Sequence, residues 1–330
     1  MQININKNTI NVLILSVGTR NKIVQYLKKE LNHLGKVVAA DMNRNAPALY
    51  DADKYYIVPP VKSSNYINEI IKICKKENIS AVFSLIDTEL SLLAQHEEEF
   101  GLMGIKIIVS KEKTCDISFD KWKMYQLLKI HNFLTAKTYI ELDKFKDDLL
   151  LKNIHFPVIV KPRDGSASLM VQKVDDLDLL NYLFKKYDNL LIQEFIDGQE
   201  IGIDCYIDMI SKQLVSLFAK KKLIMRAGET DKSISYKDYK LFELIREFIT
   251  KLEFFGPIDI DVFLKDGEYY ISEVNPRFGG GYPHAYSCGV NFMSLLLNNL
   301  QGNENPASIG DYKENIYCMK YSEISIIGGE

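Results

Sequence analysis

Hydrophobic positions in the first third of the chain fall into two kinds of run. Residues 11–17, 36–41, 81–85 and 106–109 are strand-length and rich in β-branched side chains, whereas 22–34, 66–76 and 89–99 carry apolar residues at helical spacing. Alternation of this kind predicts parallel strands joined by right-handed crossovers, a doubly wound α/β sheet. From about Asp116 the order changes. Helices are predicted over 119–131, 176–187 and 237–252, and an extended segment around Tyr139. Strands are predicted over 156–161, 190–195, 201–208 and 214–224, and a hairpin over 257–275 turns at Asp266-Gly267. Strands and helices without regular alternation predict an α+β unit with antiparallel sheets.

A chain of 330 residues has room for two or three packed units. Hydrophobic residues make up 47% and charged ones 26%, as in a soluble globular protein, and the net charge of −3 gives no reason to expect nucleic-acid or membrane binding. The basic run Lys220-Lys221-Lys222 is short and sits among apolar residues, so it makes no polybasic patch. No apolar run reaches bilayer length, and the first, 12–15, is too short for a signal peptide. The five cysteines are scattered and show no Cys-x-x-Cys spacing, which argues against a zinc site or a disulfide framework. A reduced, cytoplasmic protein is expected.

Ligands of doubly wound sheets bind beyond the carboxyl ends of the strands, which singles out Gly18-Thr19-Arg20, Asp41-Met42-Asn43 and Asp87-Thr88-Glu89. Gly18 stands outside any G-x-G-x-x-G fingerprint, so a nicotinamide dehydrogenase is disfavoured. Arg20 and Glu89 are candidates for a polar substrate, and Arg20 equally for a helix start. Asp87 reads as the cap of the helix that begins at Glu89.

The densest candidate chemistry is Glu273-Val274-Asn275-Pro276-Arg277. In an extended strand Glu273, Asn275 and Arg277 share one face. Two oxygen donors beside a guanidinium suit a divalent cation bridging phosphate oxygens. Asp261 lies on the other strand of the hairpin. A two-residue turn at Asp266-Gly267 would pair it with Ser272 and put the carboxylates of Asp261 and Glu273 on opposite faces, so metal binding predicts an odd-length loop or a bulge. Three further groups precede the hairpin. Asp120-Lys121-Trp122-Lys123 opens a helix, where a lysine adds charge to an anion-favouring end. An apolar strand delivers Lys161 to the turn Asp164-Gly165-Ser166-Ala167-Ser168, whose backbone N–H groups can cradle phosphate; the lysine precedes the turn, so this is no Walker A loop. Glu194-Phe195-Ile196 can run past the edge of a flat base, with Glu200 accepting from ribose hydroxyls.

Taken in order, Lys161-Pro162-Arg163-Asp164-Gly165-Ser166, then 194–200, then 273–281 resemble the ATP-grasp superfamily. The resemblance is closest to one ATP-binding half of the carbamoyl-phosphate synthase large subunit and runs from near Asn11 to near Leu297. It implies a pre-ATP-grasp domain over 1–112, a small lid subdomain over 113–188 and a large subdomain over 189–330. It implies that Lys121, Lys161, Ser166 and Ser168 hold ATP phosphates, and that Glu194, Phe195, Ile196 and Glu200 hold adenine and ribose. Asp261, Glu273 and Asn275 would bind magnesium, or manganese in its place. Arg277 would meet the transferring phosphoryl group, and Arg226 would lie near the acyl-phosphate site. The phosphate loop is poorer in glycine than the family's. The chain has room for one half of the synthase only.

The activity so implied is an ATP-dependent ligase that activates a small-molecule carboxylate as an acyl phosphate and joins it to an amine. Alternatives are an enzyme that stops at a carbamoyl or acyl phosphate, and a non-catalytic nucleotide sensor or partner subunit, which would have no need of the metal-bridging set. The partners expected are the two small substrates and a second copy of the chain in a homodimer, with no nucleic acid and no membrane.

Overall fold

The computed structural model describes residues 9–165, 171–226 and 228–328. Three sheets organise them. The first is five-stranded and parallel, in the spatial order Lys54–Ile57, Val37–Asp41, Asn11–Leu15, Ile79–Ser84, Lys106–Ile107. Its central strand is buried at every position after Asn11, as parallel strands covered on both faces must be. Helices Asn21–Leu31, Tyr66–Glu77 and Asp87–Gln95 cover it. The single helix expected over 89–99 is two, Asp87–Gln95 and Glu97–Leu102, broken at His96. The run Glu97-Glu98-Glu99 favours a fresh helix N-terminus there, where the macrodipole stabilises acids.

A four-stranded antiparallel sheet comes next, in the order Thr138–Tyr139, Leu190–Glu194, Val158–Pro162, Gln172–Val174. Helices Leu142–Leu150 and Leu177–Lys186 close over it, and Phe145, Val158, Val160, Val174, Leu180 and Ile192 form a core separate from the rest of the chain. The helix Leu142–Leu150 lies where the hydrophobic pattern predicts only an extended segment.

The third sheet has seven strands. Its main path is Glu268–Asn275, Gly256–Lys265, Gln199–Ile207, Leu214–Arg226, Glu229–Tyr236, Tyr317–Met319, with Ser308–Ile309 beside Leu214–Arg226. Strand Glu229–Tyr236 escapes the hydrophobic pattern because its buried positions include Thr230, Asp231, Ser233 and Ser235. One continuous core joins this sheet to the first, running from Val12 and Ile14 through Phe83 and Phe278 to Ile203 and Ile260. The helical and parallel-sheet half is therefore packed on the large antiparallel sheet.

The hairpin Gly256–Lys265/Glu268–Asn275 carries the register that matters most. Its turn is the two-residue Asp266-Gly267, both at positive φ (52° and 78°), a geometry that matches strand twist. That turn alone would oppose Asp261 to Ser272. Instead the register shifts after Val262–Ile271, leaving Ser272 as an extra residue, and Asp261 pairs with Glu273 and Asp259 with Asn275. The expected bulge is present, and the two carboxylates sit side by side.

Glu89 does not reach a substrate. It is fully buried under the first sheet, where Ser16 Oγ donates to its Oε2 at 2.9 Å and the hydroxyls of Tyr66 and Ser84 donate as well. Burial, with the nearby Asp41, pushes its carboxyl up to about 8 from an ordinary 4.5. Between those values the folded protein holds a proton that the unfolded chain has lost, so the contribution of Glu89 to stability falls as pH rises through that window. Glu89→Gln stays neutral throughout. Its thermal midpoint relative to the parent should rise by roughly 5 °C between about pH 5 and pH 8. Parallel pH profiles for the two proteins would show that Glu89 is ionised in the fold.

Candidate functional site

Asp120 fixes the first wall of the site. Its carboxylate caps helix Lys121–Ile130 by accepting from the backbone N–H of Trp122 (3.0 Å) and Lys123 (3.1 Å). The same carboxylate takes both Nε (2.9 Å) and Nη2 (2.7 Å) of Arg163, a bidentate pair that ties the helix start to the loop after strand Val158–Pro162. Lys121 then donates from Nζ to the carbonyl of Gly165 at 2.6 Å. Lys121 and Lys161 are thereby delivered to one cleft of about 460 Å³, which is also lined by Glu194, Phe195, Ile196, Glu200, Asp261 and Glu273. Ser166 and Ser168 lie outside the described residues.

Lys161 is buried. Desolvation lowers its pKa, Glu273 opposes that shift, and Lys121 adds to it. A buried ammonium facing a cleft gains most from an anion that enters beside it. Across the cleft Ile196 is buried, the Lys173 ammonium lies 4.1 Å from the centre of the Phe195 ring, and the backbone N–H of Lys137 holds Glu194 Oε2 at 3.1 Å. The cleft thus has cations at one end and an apolar, hydrogen-bonding edge at the other.

Lys222 is central to the site, although in the sequence it is only the last member of a short basic run. Alternation along strand Leu214–Arg226 puts Lys220 and Lys222 on one face, and Gly202 on the neighbouring strand leaves space for both: a Cβ there would meet the Lys222 Cε at 3.0 Å. Lys222 Nζ stands 2.8 Å from Glu200 Oε1 and 2.7 Å from Asp261 Oδ1. Burial alone would lower its pKa, but Asp261 and Glu200 raise it well above the lysine range. Asp261 is pushed up to about 7 by burial, and the carboxylates of Asp259, Glu200 and Glu273 add to this against the pull of Lys222. Such crowding favours a further cation. Asp261, Glu273 and Asn275 present two carboxylates and an amide, a donor set that suits magnesium. Among the described residues no three His, Cys, Asp or Glu side chains form a metal-holding group.

Beyond those carboxylates lies a second cavity of about 180 Å³, lined by Arg20, Asp87, Glu229, Asp259, Asn275 and Arg277 among others, and by Asp261 and Glu273 again. Asp87 is not a helix cap, because helix Asp87–Gln95 begins with it and Ile86 precedes it. It is buried, and its Oδ2 accepts from Arg277 Nη2 at 3.0 Å. Arg277 Nη1 approaches Asp259 Oδ2 at 3.4 Å and donates to the carbonyl of Phe278 at 3.1 Å. Burial works against the Arg277 charge, but Asp87 and Asp259 more than offset this and raise its pKa. Arg20 Nη2 pairs with Glu229 Oε1 at 2.9 Å, and Lys320 holds the other oxygen of Glu229 at 2.8 Å. Gly280 permits that approach, since a Cβ there would fall 2.6 Å from Arg20 Nη1. Arg226 is not gathered in: it ends its strand 73% exposed, 3.4 Å from Asp231, and lines neither cavity.

The site is therefore a nucleotide-sized cleft and a small polar cavity with Asp261 and Glu273 as their common wall. Among the described residues no helix is long and apolar enough to cross a membrane.

Comparison with known proteins covers both parts of the chain. Residues 12–108 match the PylC-like N-terminal domain, and 118–281 match the ATP-grasp domain. The D-alanine–D-alanine ligase of Petrotoga mobilis is 25% identical over 70% of this chain and 81% of its own. A carbamoyl-phosphate synthase of Methanobrevibacter smithii is 26% identical over 93% and 85%. Among solved structures, N5-carboxyaminoimidazole synthetase from Staphylococcus aureus complexed with ADP superimposes with a TM-score of 0.72 over 92% of this chain and 81% of that one, at 15% identity. A PylC-like N-terminal domain followed by an ATP-grasp domain makes this chain a member of the ATP-grasp superfamily, as an enzyme of its carboxylate–amine ligase family.

Proposed function

We propose that the protein uses ATP to activate a small carboxylate as an acyl phosphate and passes the acyl group to an amine, releasing ADP and phosphate. The observation that carries this reading is the shared wall: the cleft of 460 Å³ and the cavity of 180 Å³ meet at Asp261 and Glu273. A triphosphate laid along the cleft ends at those carboxylates, and a carboxylate in the cavity meets its γ-phosphorus there. Lys121 and Lys161 hold phosphate oxygens, while Glu194, Phe195, Ile196 and Glu200 hold the base and ribose. Asp261, Glu273 and Asn275 would hold magnesium, which when bound would neutralise triphosphate charge.

Arg277 faces the reacting end from the other side. It is fixed by Asp87 and Asp259, so it is ready to receive the negative charge that gathers on the transferring group. The substrate carboxylate attacks the γ-phosphorus, the bond to the bridging oxygen breaks, and ADP leaves. An amine then attacks the acyl carbon and expels phosphate. None of these steps needs a covalent bond to the protein; positioning and exclusion of water suffice. Arg226, at the exposed end of its strand, reaches neither cavity and carries no step in this scheme.

Two substitutions test the assignment. Lys161→Ala should weaken ATP binding by about tenfold or more, read by titration calorimetry. Unchanged affinity would remove this lysine from the phosphate site. Glu273→Gln should keep the circular dichroism spectrum and ADP binding, yet lower ATP turnover by roughly 100-fold or more. Turnover near that of the parent would overturn the role given to the hairpin carboxylates.

A further inference from the structure

A cavity of about 540 Å³, larger than the nucleotide cleft, opens between Lys106 and Val109 of the first sheet's edge, Ile207 and Leu214 of the third sheet, and the end of helix Tyr239–Ile249. Strand Gln199–Ile207 connects the two places. It passes the cleft at Glu200 and ends in this cavity at Ile207, roughly 24 Å further along at 3.4 Å per residue. An occupant here is well away from the hairpin carboxylates.

The floor of the cavity is apolar: Ile207, Leu214, Ile249 and Phe254 are buried members of the shared core. Its rim is cationic, with Lys106, Lys111, Lys212 and Arg246 set against Glu97 and Glu253. Two of these cations are already paired, Lys111 with Glu97 and Arg246 with Glu243, each at 2.7 Å. Lys106 and Lys212 converge instead on one ring. Their ammonium groups lie 4.9 and 4.2 Å from the centre of Phe255, whose backbone N–H is anchored on Ser110 Oγ at 3.1 Å. A ring attracts each cation weakly, while the two cations repel each other.

Lys212 shows the crowding most clearly. Burial lowers its pKa, Lys106 and Lys111 lower it further, and Glu97 and Asp208 oppose the shift only in part. Glu97 is held by Lys111, and Asp208 by its own loop and by Asn299 and Asn305. Lys212 Nζ donates to the Met209 carbonyl at 2.8 Å, which uses one of its three N–H donors. The backbone gives no reason for a lysine at this position: its φ is 62°, a left-handed value that glycine and asparagine adopt with less strain.

We infer that this cavity is a second ligand site, which takes a small organic anion with its phosphate or carboxylate group between Lys106 and Lys212 and its apolar body against Phe255 and the floor. The volume is that of a small-molecule pocket, and the lining has the usual form of one, an apolar surface with a few convergent charges. The walls come from both the first and the third sheet, so the occupant touches both. It takes no part in phosphoryl transfer, and the site stands whether or not the ligase reading does.

Pyridoxal 5′-phosphate combines an acidic group with a flat ring and reports where it sits. A lysine amine adds to its aldehyde, water leaves, and an imine forms; borohydride then delivers hydride to the imine carbon, solvent supplies a proton, and a stable secondary amine remains for peptide mapping by mass spectrometry. AMP-PNP and magnesium are kept saturating to cover the lysines of the cleft. Lys106 or Lys212 should be labelled at least about tenfold faster than the exposed Lys75 and Lys129, and pyridoxal, without the phosphate, should lose that preference.

Phenyl phosphate and phenylacetate are then added as competitors. Protection by the first supports a phosphate ligand, and protection by the second a carboxylate. With AMP-PNP present, Lys212→Asn, which suits the left-handed backbone, and Lys106→Gln should each weaken binding of the protecting anion by about tenfold or more in calorimetry, with an unchanged circular dichroism spectrum. Labelling of Lys106 and Lys212 no faster than of Lys75 would overturn the site, as would protection by neither anion or unchanged affinity in both variants. Equal protection by inorganic phosphate would overturn the part given to the apolar floor.

Discussion

The buried guanidinium of Arg277 is the constraint around which the site is arranged. A charge in the interior costs several kcal/mol unless it is paired and hydrogen-bonded. Arg277 meets that demand with partners from two sheets: Asp87, at the carboxyl end of a strand in the parallel sheet, and Asp259, on the first strand of the hairpin. The pairs span 190 and 18 residues of sequence, so one side chain links the start of a helix on the first sheet to the hairpin of the third. Phe278, next to it, adds an apolar contact in the same direction, with its ring 5.6 Å from that of Phe83.

The hairpin bulge is the second half of that arrangement. Strand periodicity alone would send Glu273 to the face opposite Asp261 once Asp266-Gly267 makes a two-residue turn. The extra residue, Ser272, restores the pairing at a local cost in ladder hydrogen bonds. It also brings Asp261 and Glu273 together beside Asp259 and Glu200, and the proximity of these acids helps raise the Asp261 pKa. Lys222 offsets part of the repulsion and no more. A divalent cation would offset the rest, so the strain of assembling these carboxylates is itself an argument for the metal that the sequence pattern suggests.

How much of this is legible in the sequence depends on the range of the interactions involved. The alternating strands and helices of the first sheet, the antiparallel character of the later strands, and the need for a bulge all come from local periodicity and turn chemistry, and all are present. The lysines and carboxylates of the cleft are visible because each sits in a short motif. Asp87 is hidden for the opposite reason: near a helix start an aspartate looks like a cap, and only a partner 190 residues away shows otherwise. Lys222 looks like one of three surface lysines until the strand's alternation and the missing side chain of Gly202 turn it inward. Strand Glu229–Tyr236 is invisible because its buried face is polar; what it buries includes an ion-pair and hydroxyl layer, where Ser233 meets His284 at 2.8 Å.

The separate core of the four-stranded sheet has a functional consequence. Phe145, Val160, Val174 and Leu180 pack among themselves, outside the core shared by the other two sheets. The unit that carries Lys161 is therefore packed independently of the hairpin that carries Glu273. Its tether to the helix behind it is specific: Asp120 grips Arg163 with two hydrogen bonds, and Lys121 reaches Gly165. Lys161 thus comes from the separate core, whereas Lys121 starts a helix whose Met124 and Leu128 lie in the shared one, and the Asp120–Arg163 pair joins the two. The division between the cationic and acidic walls of the cleft comes from where the chain places its apolar residues.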